Sequence, residues 1–148
     1  MTRRPPPAVL FASPDDVEAQ FYEALQRGDL QKLMALWADD EEIVCVHPGG
    51  PRVVGPQAIS AAFEAIFANN AVPVVPEQVH RLHATGVAVH HLVERISVNT
   101  NEGVQTAWVL ATNVYLKTAM GWRMVAHHAS PGTPGQAPLP SESPSVLH

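Results

Sequence analysis

His47 is the main candidate in the sequence for a residue that does chemistry. It follows the apolar run Ile43 to Val46 and precedes Pro48 to Gly50, which must form a turn because proline lacks a ladder donor and glycine tolerates positive φ. A neutral imidazole at a strand end can take a proton from a bound carbon acid or hydrogen-bond a ligand. The position suits equally a histidine that only caps the turn, and both interpretations stay open.

The other histidines do not favour metal chelation. Adjacent histidines at 90–91 and 127–128 point to opposite faces of any strand that contains them, and His80 and His83, three apart, do the same. The chain has no HExxH motif and no CxxC pair. We therefore predict no dedicated metal site.

A second group of polar candidates lies on one strand-like segment, Thr106 to Lys117. Asn113 and Tyr115 share a face of this strand. If that face lines a pocket, the Asn113 amide and the Tyr115 phenol can orient a carbonyl or hydroxyl group near His47. Tyr115 would also suit a rim position, with its hydroxyl in water.

Composition excludes several classes of function. The chain has 148 residues, a net charge of -5 and only nine Lys and Arg, which argues against nucleic acid and anionic membranes. No apolar stretch is long enough to span a bilayer. No phosphate loop, nucleophile elbow or dinucleotide fingerprint is present, so no cofactor is expected. The single Cys45 fits a cytoplasmic protein.

The chain is predicted to form one domain between two tails. Residues 1–12 and the Pro-, Gly- and Ser-rich residues 132–148 have little to bury and are expected to be disordered, which leaves 13–131 for the domain. Ser13 and Pro14 begin a helix that runs to about Arg27, where Gly28 stops it. Asp29 then caps a second helix with Leu30, Leu33, Met34 and Trp37 facing inward.

The rest of the domain is predicted to be one strand, one helix and a meander. Ile43 to Val46 is a short strand, and Pro56 begins a third helix with Ile59, Ala62, Phe63, Ile66 and Phe67 on one face. Four strand-like runs follow at about 72–82, 85–98, 106–118 and 122–130. Helices followed by antiparallel strands predict an α+β fold.

This pattern resembles the cone-shaped fold of nuclear transport factor 2, ketosteroid isomerase and the SnoaL-like cyclases, over about residues 14–131. The resemblance rests on FYEALQRGDLQKLMAL with WADD, on HPGG, and on GPQAI. The closing segment GWRMVAHHAS is similar to the last strand of the association domain of calcium/calmodulin-dependent kinase. The resemblance implies three N-terminal helices packed on a curved antiparallel sheet, and it implies little about activity, because this architecture serves many functions.

The resemblance also suggests site residues. His47 takes the place of the general-base aspartate of the isomerases, Phe21 that of their helix tyrosine, and Asn113 falls near their late aspartate. Loss of the phenol at Phe21 makes steroid isomerisation doubtful. The resemblance favours His128, rather than His127, as the histidine that faces the pocket. We expect His47 and Asn113 to be catalytic, and the pocket to be lined by Phe21, Trp37, Phe63, Tyr115 and His128.

Two functions follow. The first is a cofactor-free isomerase, cyclase, dehydratase or ligand binder that takes a small apolar carbonyl compound, with His47 as acid or base. The second is a noncatalytic association module that pairs with another copy through Trp108, Leu110 and their neighbours. A homodimer is expected in both cases.

Overall fold

The computed structural model describes residues 11–132, so most of both predicted tails lies outside the described residues. The helices are α1 (Pro14–Arg27), α2 (Leu30–Ala35) and α3 (Pro56–Asn69). The strands are β1 (Val44–Val46), β2 (Arg52–Val54), β3 (Val74–Ala84), β4 (Val87–Thr100), β5 (Gly103–Thr118) and β6 (Gly121–Pro131). Within the described residues, neither the length nor the hydropathy of any helix suffices to cross a membrane.

The ends of the first two helices are set by capping residues. The Ser13 hydroxyl accepts a hydrogen bond from the Asp16 backbone N–H at 3.1 Å, and Gly28 ends α1 in the left-handed conformation with φ of 66°. Asp29 caps α2 through the Lys32 N–H at 3.0 Å. These boundaries agree with the prediction. Trp37, however, lies beyond the six-residue α2 and bridges to β6.

The strands form one sheet in the order β2-β1-β6-β5-β4-β3. Neighbouring strands are antiparallel, apart from β1 and β6, which run parallel. The α+β class is confirmed. The sequence analysis missed β2, whose three residues pair with β1 across the proline turn. It also placed Phe11 in the N-terminal tail, whereas Phe11 bridges to Gly121 and its backbone oxygen accepts the Trp122 N–H at 3.0 Å.

A bulge in β6 decides which histidine faces the helices. Val114 pairs with Ala126 but Tyr115 pairs with Met124, so Val125 is an extra residue on β6. The extra residue reverses the alternation beyond it, and His127 lies on the buried face with Met124. The prediction that His128 is the inward residue is therefore wrong, since its side chain is exposed.

The core lies between the concave face of the sheet and α1 and α3. Helix α1 packs against both β3 and β6, and so crosses the concave face. Its Phe21 is fully buried and makes edge contacts with Tyr22 and Phe63, with ring centroids 5.1 and 6.3 Å apart. Aromatic packing of this kind adds to the free energy gained by burial. It also holds the polar groups described next in place.

Candidate functional site

A cavity of about 170 Å³ lies beside the C-terminal half of α1, over the concave face of the sheet. Its walls are mainly apolar and come from α1, α3 and the strands: Leu25, Phe63, Ile66, Val72, Val74, Ile96 and Ala129. Three titratable side chains also line it, namely His47, Glu94 and His127. An apolar pocket with a few convergent polar groups is typical of a small-molecule site.

The polar groups of the cavity continue into a chain of hydrogen bonds inside the core. His127 Nδ1 lies 2.6 Å from Asn113 Oδ1, and because that oxygen can only accept, Nδ1 carries the proton. Asn113 Nδ2 donates to the Tyr22 hydroxyl at 3.1 Å. Tyr22 in turn donates to Glu94 Oε2 at 2.7 Å. Every member is buried, so the chain fixes the orientation of both cavity-lining ends.

Glu94 is the acidic end of this chain. Burial, which leaves only 5% of the residue exposed, raises the pKa of its carboxyl from 4.5 to about 7, because the charged form loses its hydration. Within this net shift, the hydrogen bond from Tyr22 lowers the pKa and the charge of Glu18 raises it. Near neutral pH both the carboxylic acid and the carboxylate are therefore populated. Such a group can give or take a proton.

His127 is the neutral end. The pKa of its imidazole is lowered from 6.5 to about 3, mainly by burial and in smaller part by proximity to His47 and His128. The ring is therefore uncharged at neutral pH, with its proton on Nδ1 and a lone pair on Nε2. That Nε2 lies 4.0 Å from Glu94 Oε2, so a carboxyl and a hydrogen-bond acceptor face the same part of the cavity.

His47 lies at the end of β1, on the wall of the same cavity. Its ring packs edge-on against Phe63, with centroids 4.8 Å apart, and lies 6.3 Å from the His127 ring. Its Nε2 is 3.7 Å from the Cys45 sulfur. Burial lowers the pKa of His47, which favours the neutral imidazole. Burial also raises the pKa of the Cys45 thiol to about 12, so this cysteine is no nucleophile at neutral pH.

The structure brings four of the predicted site residues together. His47 and Phe63 line the cavity. Asn113 is fully buried beneath it and reaches it through His127. Phe21 lies behind His127, with ring centroids 5.2 Å apart. Asn113 and Phe21 therefore support the cavity wall without being part of it.

The other three predicted residues lie elsewhere. Trp37 lines a separate cleft between α2 and α3, as does Met34. Tyr115 is fully buried and donates a hydrogen bond to Glu18 at 2.9 Å, so it is neither a cavity residue nor a rim residue. His128 faces away from the cavity because of the β6 bulge.

Sequence reasoning did not select three members of the hydrogen-bonded chain as site residues. Glu94 alternates with His90, Leu92 and Ile96, which signals one shared face but does not say which face of the sheet it is. His127 was passed over because the bulge is invisible in the sequence. Tyr22 lies about 100° from Phe21 around the helix, so helical spacing alone does not place both on one buried face, yet both side chains are buried.

Comparisons with known proteins give one family and one fold. The family model described as the SnoaL-like domain matches residues 15–134. A protein from Thiobacillus denitrificans, provisionally assigned as a calcium/calmodulin-dependent protein kinase type II association domain, is 32% identical with a TM-score of 0.77, and the match covers 84% of this chain and 99% of that one. No curated protein matches the chain.

Two further solved structures share the fold. A protein from Streptomyces avermitilis, provisionally assigned as a dehydratase of the NTF2-like family, is 30% identical with a TM-score of 0.70, and the match covers 78% of this chain and 91% of that one. The CaMKII hub of S. rosetta is 20% identical with a TM-score of 0.65, with 83% and 100% covered. At that identity the hub supports the fold alone.

Proposed function

Because the chain belongs to the SnoaL-like domain family, we propose that its cavity binds a small carbonyl compound and moves a proton on it. Glu94 is the proton-transfer group, in place of the role first expected for His47. His47 and His127 are neutral hydrogen-bonding groups that orient the ligand. The reaction class is isomerisation or dehydration, both of which begin by removing a proton next to a carbonyl group.

One observation carries this proposal: a carboxyl group that lines an apolar cavity is held by a dedicated donor. Tyr22 donates to Glu94 Oε2, and within residues 11–132 no hydrogen bond to Glu94 Oε1 is found. That free oxygen is available to a ligand. A carboxylate with only a structural role in a core commonly has both oxygens satisfied.

The size of the cavity limits the ligand. A volume of about 170 Å³ is close to that of an apolar cavity of about 150 Å³ that holds benzene. The ligand therefore has about six to eight non-hydrogen atoms, or extends beyond the mouth. A steroid does not fit inside, in keeping with the doubt that Phe21 raised.

The proposed step balances without a cofactor. The carbon–hydrogen bond next to the carbonyl breaks, its proton forms an O–H bond on the carboxylate of Glu94, and the electron pair moves onto the carbonyl oxygen. His47, as a neutral imidazole, donates its N–H to that oxygen. Return of that proton from Glu94 to another carbon completes an isomerisation; its transfer to a β-hydroxyl group, which leaves as water while the electron pair of the enolate forms the new C=C bond, completes a dehydration.

The test is deuterium exchange at the carbon next to the carbonyl. Cyclohexanone, with seven non-hydrogen atoms, is incubated in D₂O with the protein, and the loss of the proton signal is followed by NMR. We expect exchange above the buffer rate with the wild type and exchange at the buffer rate with Glu94→Gln. The matched control is Glu102→Gln, which removes an exposed carboxylate in the β4–β5 turn. Equal rates for all three proteins would refute the proposal.

A second candidate function is assembly, alone or beside ligand binding. Large apolar side chains are exposed on the outer face of β5, where Leu110 and Leu116 are each 37% exposed, and Trp108 is half-buried on the same face. Exposed apolar patches of this kind mark interaction sites. The similarity to the association domain from Thiobacillus denitrificans supports this candidate.

We accordingly propose a homodimer, in the cytoplasm, whose contact includes Trp108 and Leu110. Light scattering of Leu110→Asp tests it, because a charge buried in an interface without a partner disfavours association. Glu102→Gln serves again as the control. A mass of one chain for the variant and two for the control would support the interface, whereas an unchanged dimer in the variant would exclude it.

A further inference from the structure

A second buried polar cluster lies beside the N-terminal half of α1, outside the cavity. Glu18 Oε2 accepts hydrogen bonds from His90 Nδ1 at 2.8 Å and from the Tyr115 hydroxyl at 2.9 Å. The other ring nitrogen of His90, Nε2, lies 3.1 Å from Nε2 of His83. Neither the cavity nor the proposed proton transfer uses any of these four side chains.

We propose that His83 and His90, together with Asp15, bind one divalent transition-metal ion of the zinc class. This differs from the sequence analysis, which found no metal site because it compared faces within single strands. His83 and His90 lie on neighbouring strands, where Arg81 pairs with His90 and His83 with Ala88. Both histidines therefore project from the same face of the β3–β4 hairpin.

The distance between the two ring nitrogens suits a shared metal ion. With zinc–nitrogen bonds of about 2.0–2.1 Å and tetrahedral angles, two imidazole ligands place their nitrogens about 3.3 Å apart. The two Nε2 atoms here are 3.1 Å apart. Without a metal ion, His83 Nε2 donates its proton to His90 Nε2; in the proposed site that proton moves to Nδ1 of His83, and the ion takes its place between the two Nε2 atoms.

The hydrogen bond from His90 to Glu18 is the arrangement that metal-bound histidines commonly have. A ligating histidine usually donates its second ring N–H to a carboxylate, which fixes the tautomer and strengthens the ligand. Here Nδ1 donates to Glu18, so the lone pair of the neutral ring is on Nε2, the atom that faces His83. His90 is fully buried and held by an edge contact with Tyr115.

Carboxylates complete the cluster and give it negative charge. Asp15, Glu18 and His90 each offer one ligand atom, and these three atoms lie within 4.8 Å of one another. Asp15 Oδ1 accepts a hydrogen bond from Arg81 Nε at 2.8 Å, and the Asp15 side chain is exposed, so in the proposed site its second oxygen serves as the third ligand. The two carboxylates of Asp15 and Glu18 outnumber the one guanidinium of Arg81, so the cluster attracts a cation. β3 is an edge strand and His83 is exposed, which provides a path from solvent.

The experiment is titration of the untagged full chain with Zn²⁺ by calorimetry, and with Co²⁺ by visible absorption. We expect one ion per chain and the absorption bands of tetrahedral Co²⁺. His83→Ala should weaken the Zn²⁺ affinity at least tenfold, and its exposed position makes it safe for folding. Glu18→Gln keeps the side-chain shape and should weaken the affinity about 10- to 100-fold, as for other groups that orient a metal-bound histidine.

The matched control is His91→Ala, which removes an exposed histidine from the opposite face of β4. Zn²⁺ affinity unchanged by His91→Ala and lowered by His83→Ala would support the site. The same affinity in wild type and His83→Ala, or a loss that follows His91→Ala instead, would overturn it. So would the absence of any saturable binding of Zn²⁺ or Co²⁺ by the wild type.

Discussion

The raised pKa of Glu94 makes the free energy of unfolding depend on pH, and the substitution Glu94→Gln should remove this dependence. The pKa of this carboxyl is about 7 in the folded protein against an ordinary value of 4.5. Between these values the folded chain keeps a proton that the unfolded chain has released. The proton therefore stabilises the folded state fully below pH 4.5, and this contribution is lost as the pH rises through about 7.

The expected magnitude follows from the two pKa values. Their difference corresponds to about 3 kcal/mol in the free energy of unfolding, of which about 2 kcal/mol is lost between pH 5 and pH 7. Glu94→Gln keeps the shape of the side chain and an oxygen that can accept the Tyr22 hydrogen bond. Since an amide does not titrate, the variant lacks this pH-dependent loss.

The assay is urea denaturation from pH 5 to pH 8 for wild type, Glu94→Gln and Glu102→Gln. We expect the free energy of unfolding of the wild type to fall by about 2 kcal/mol relative to Glu94→Gln between pH 5 and pH 7. The Glu102→Gln curve should run parallel to the wild type, because that carboxylate is exposed. If the wild-type and Glu94→Gln curves run parallel, Glu94 is no buried acid with a raised pKa, and its proposed role fails.

Three further substitutions test the geometry. Tyr22→Phe removes the donor of Glu94 and the acceptor of Asn113 and should destabilise the protein by about 1–3 kcal/mol; carboxyl NMR should also show a higher pKa for Glu94, because the lost hydrogen bond lowered it. Between pH 7 and pH 4.5 the free energy of unfolding of the wild type should fall by about 2–3 kcal/mol relative to that of His127→Gln, because His127 takes up a proton in that range only when the chain is unfolded. If the two free energies of unfolding change in parallel, His127 is not buried as a neutral ring. Gly28→Ala should lower the free energy of unfolding by about 1 kcal/mol, because Gly28 has φ of 66° and an added Cβ would lie 3.4 Å from Ala71; thermal unfolding measures it, and an unchanged melting temperature would contradict the left-handed helix end.

Local chemistry made the helices and the broad fold predictable. Ser13, Gly28 and Asp29 act on backbone groups within a few residues of themselves, so their types alone locate the ends of α1 and α2. The apolar alternation of β5 correctly grouped Asn113 with Tyr115, because the side-chain period of a strand is two. The position of His47 at the end of a strand was predictable for the same reason.

The composition of the site was not predictable, because it depends on contacts between distant segments. Tyr22 and Glu94 are 72 residues apart in the chain, and only the path of α1 across the sheet brings them together. The choice of His127 over His128 rests on one extra residue in β6, and a bulge changes a strand's register without a marked change in residue type.

The sequence by itself thus determined the class of fold, the ends of α1 and α2 and the place of a histidine at the end of a strand. Only the tertiary structure decided that Glu94 faces the cavity, that His127 is neutral and that His83 meets His90 across a hairpin. The physical reason is that capping and alternation act over a few residues, whereas the pKa of a buried group and the meeting of two ring nitrogens depend on how separate strands pair and what covers them.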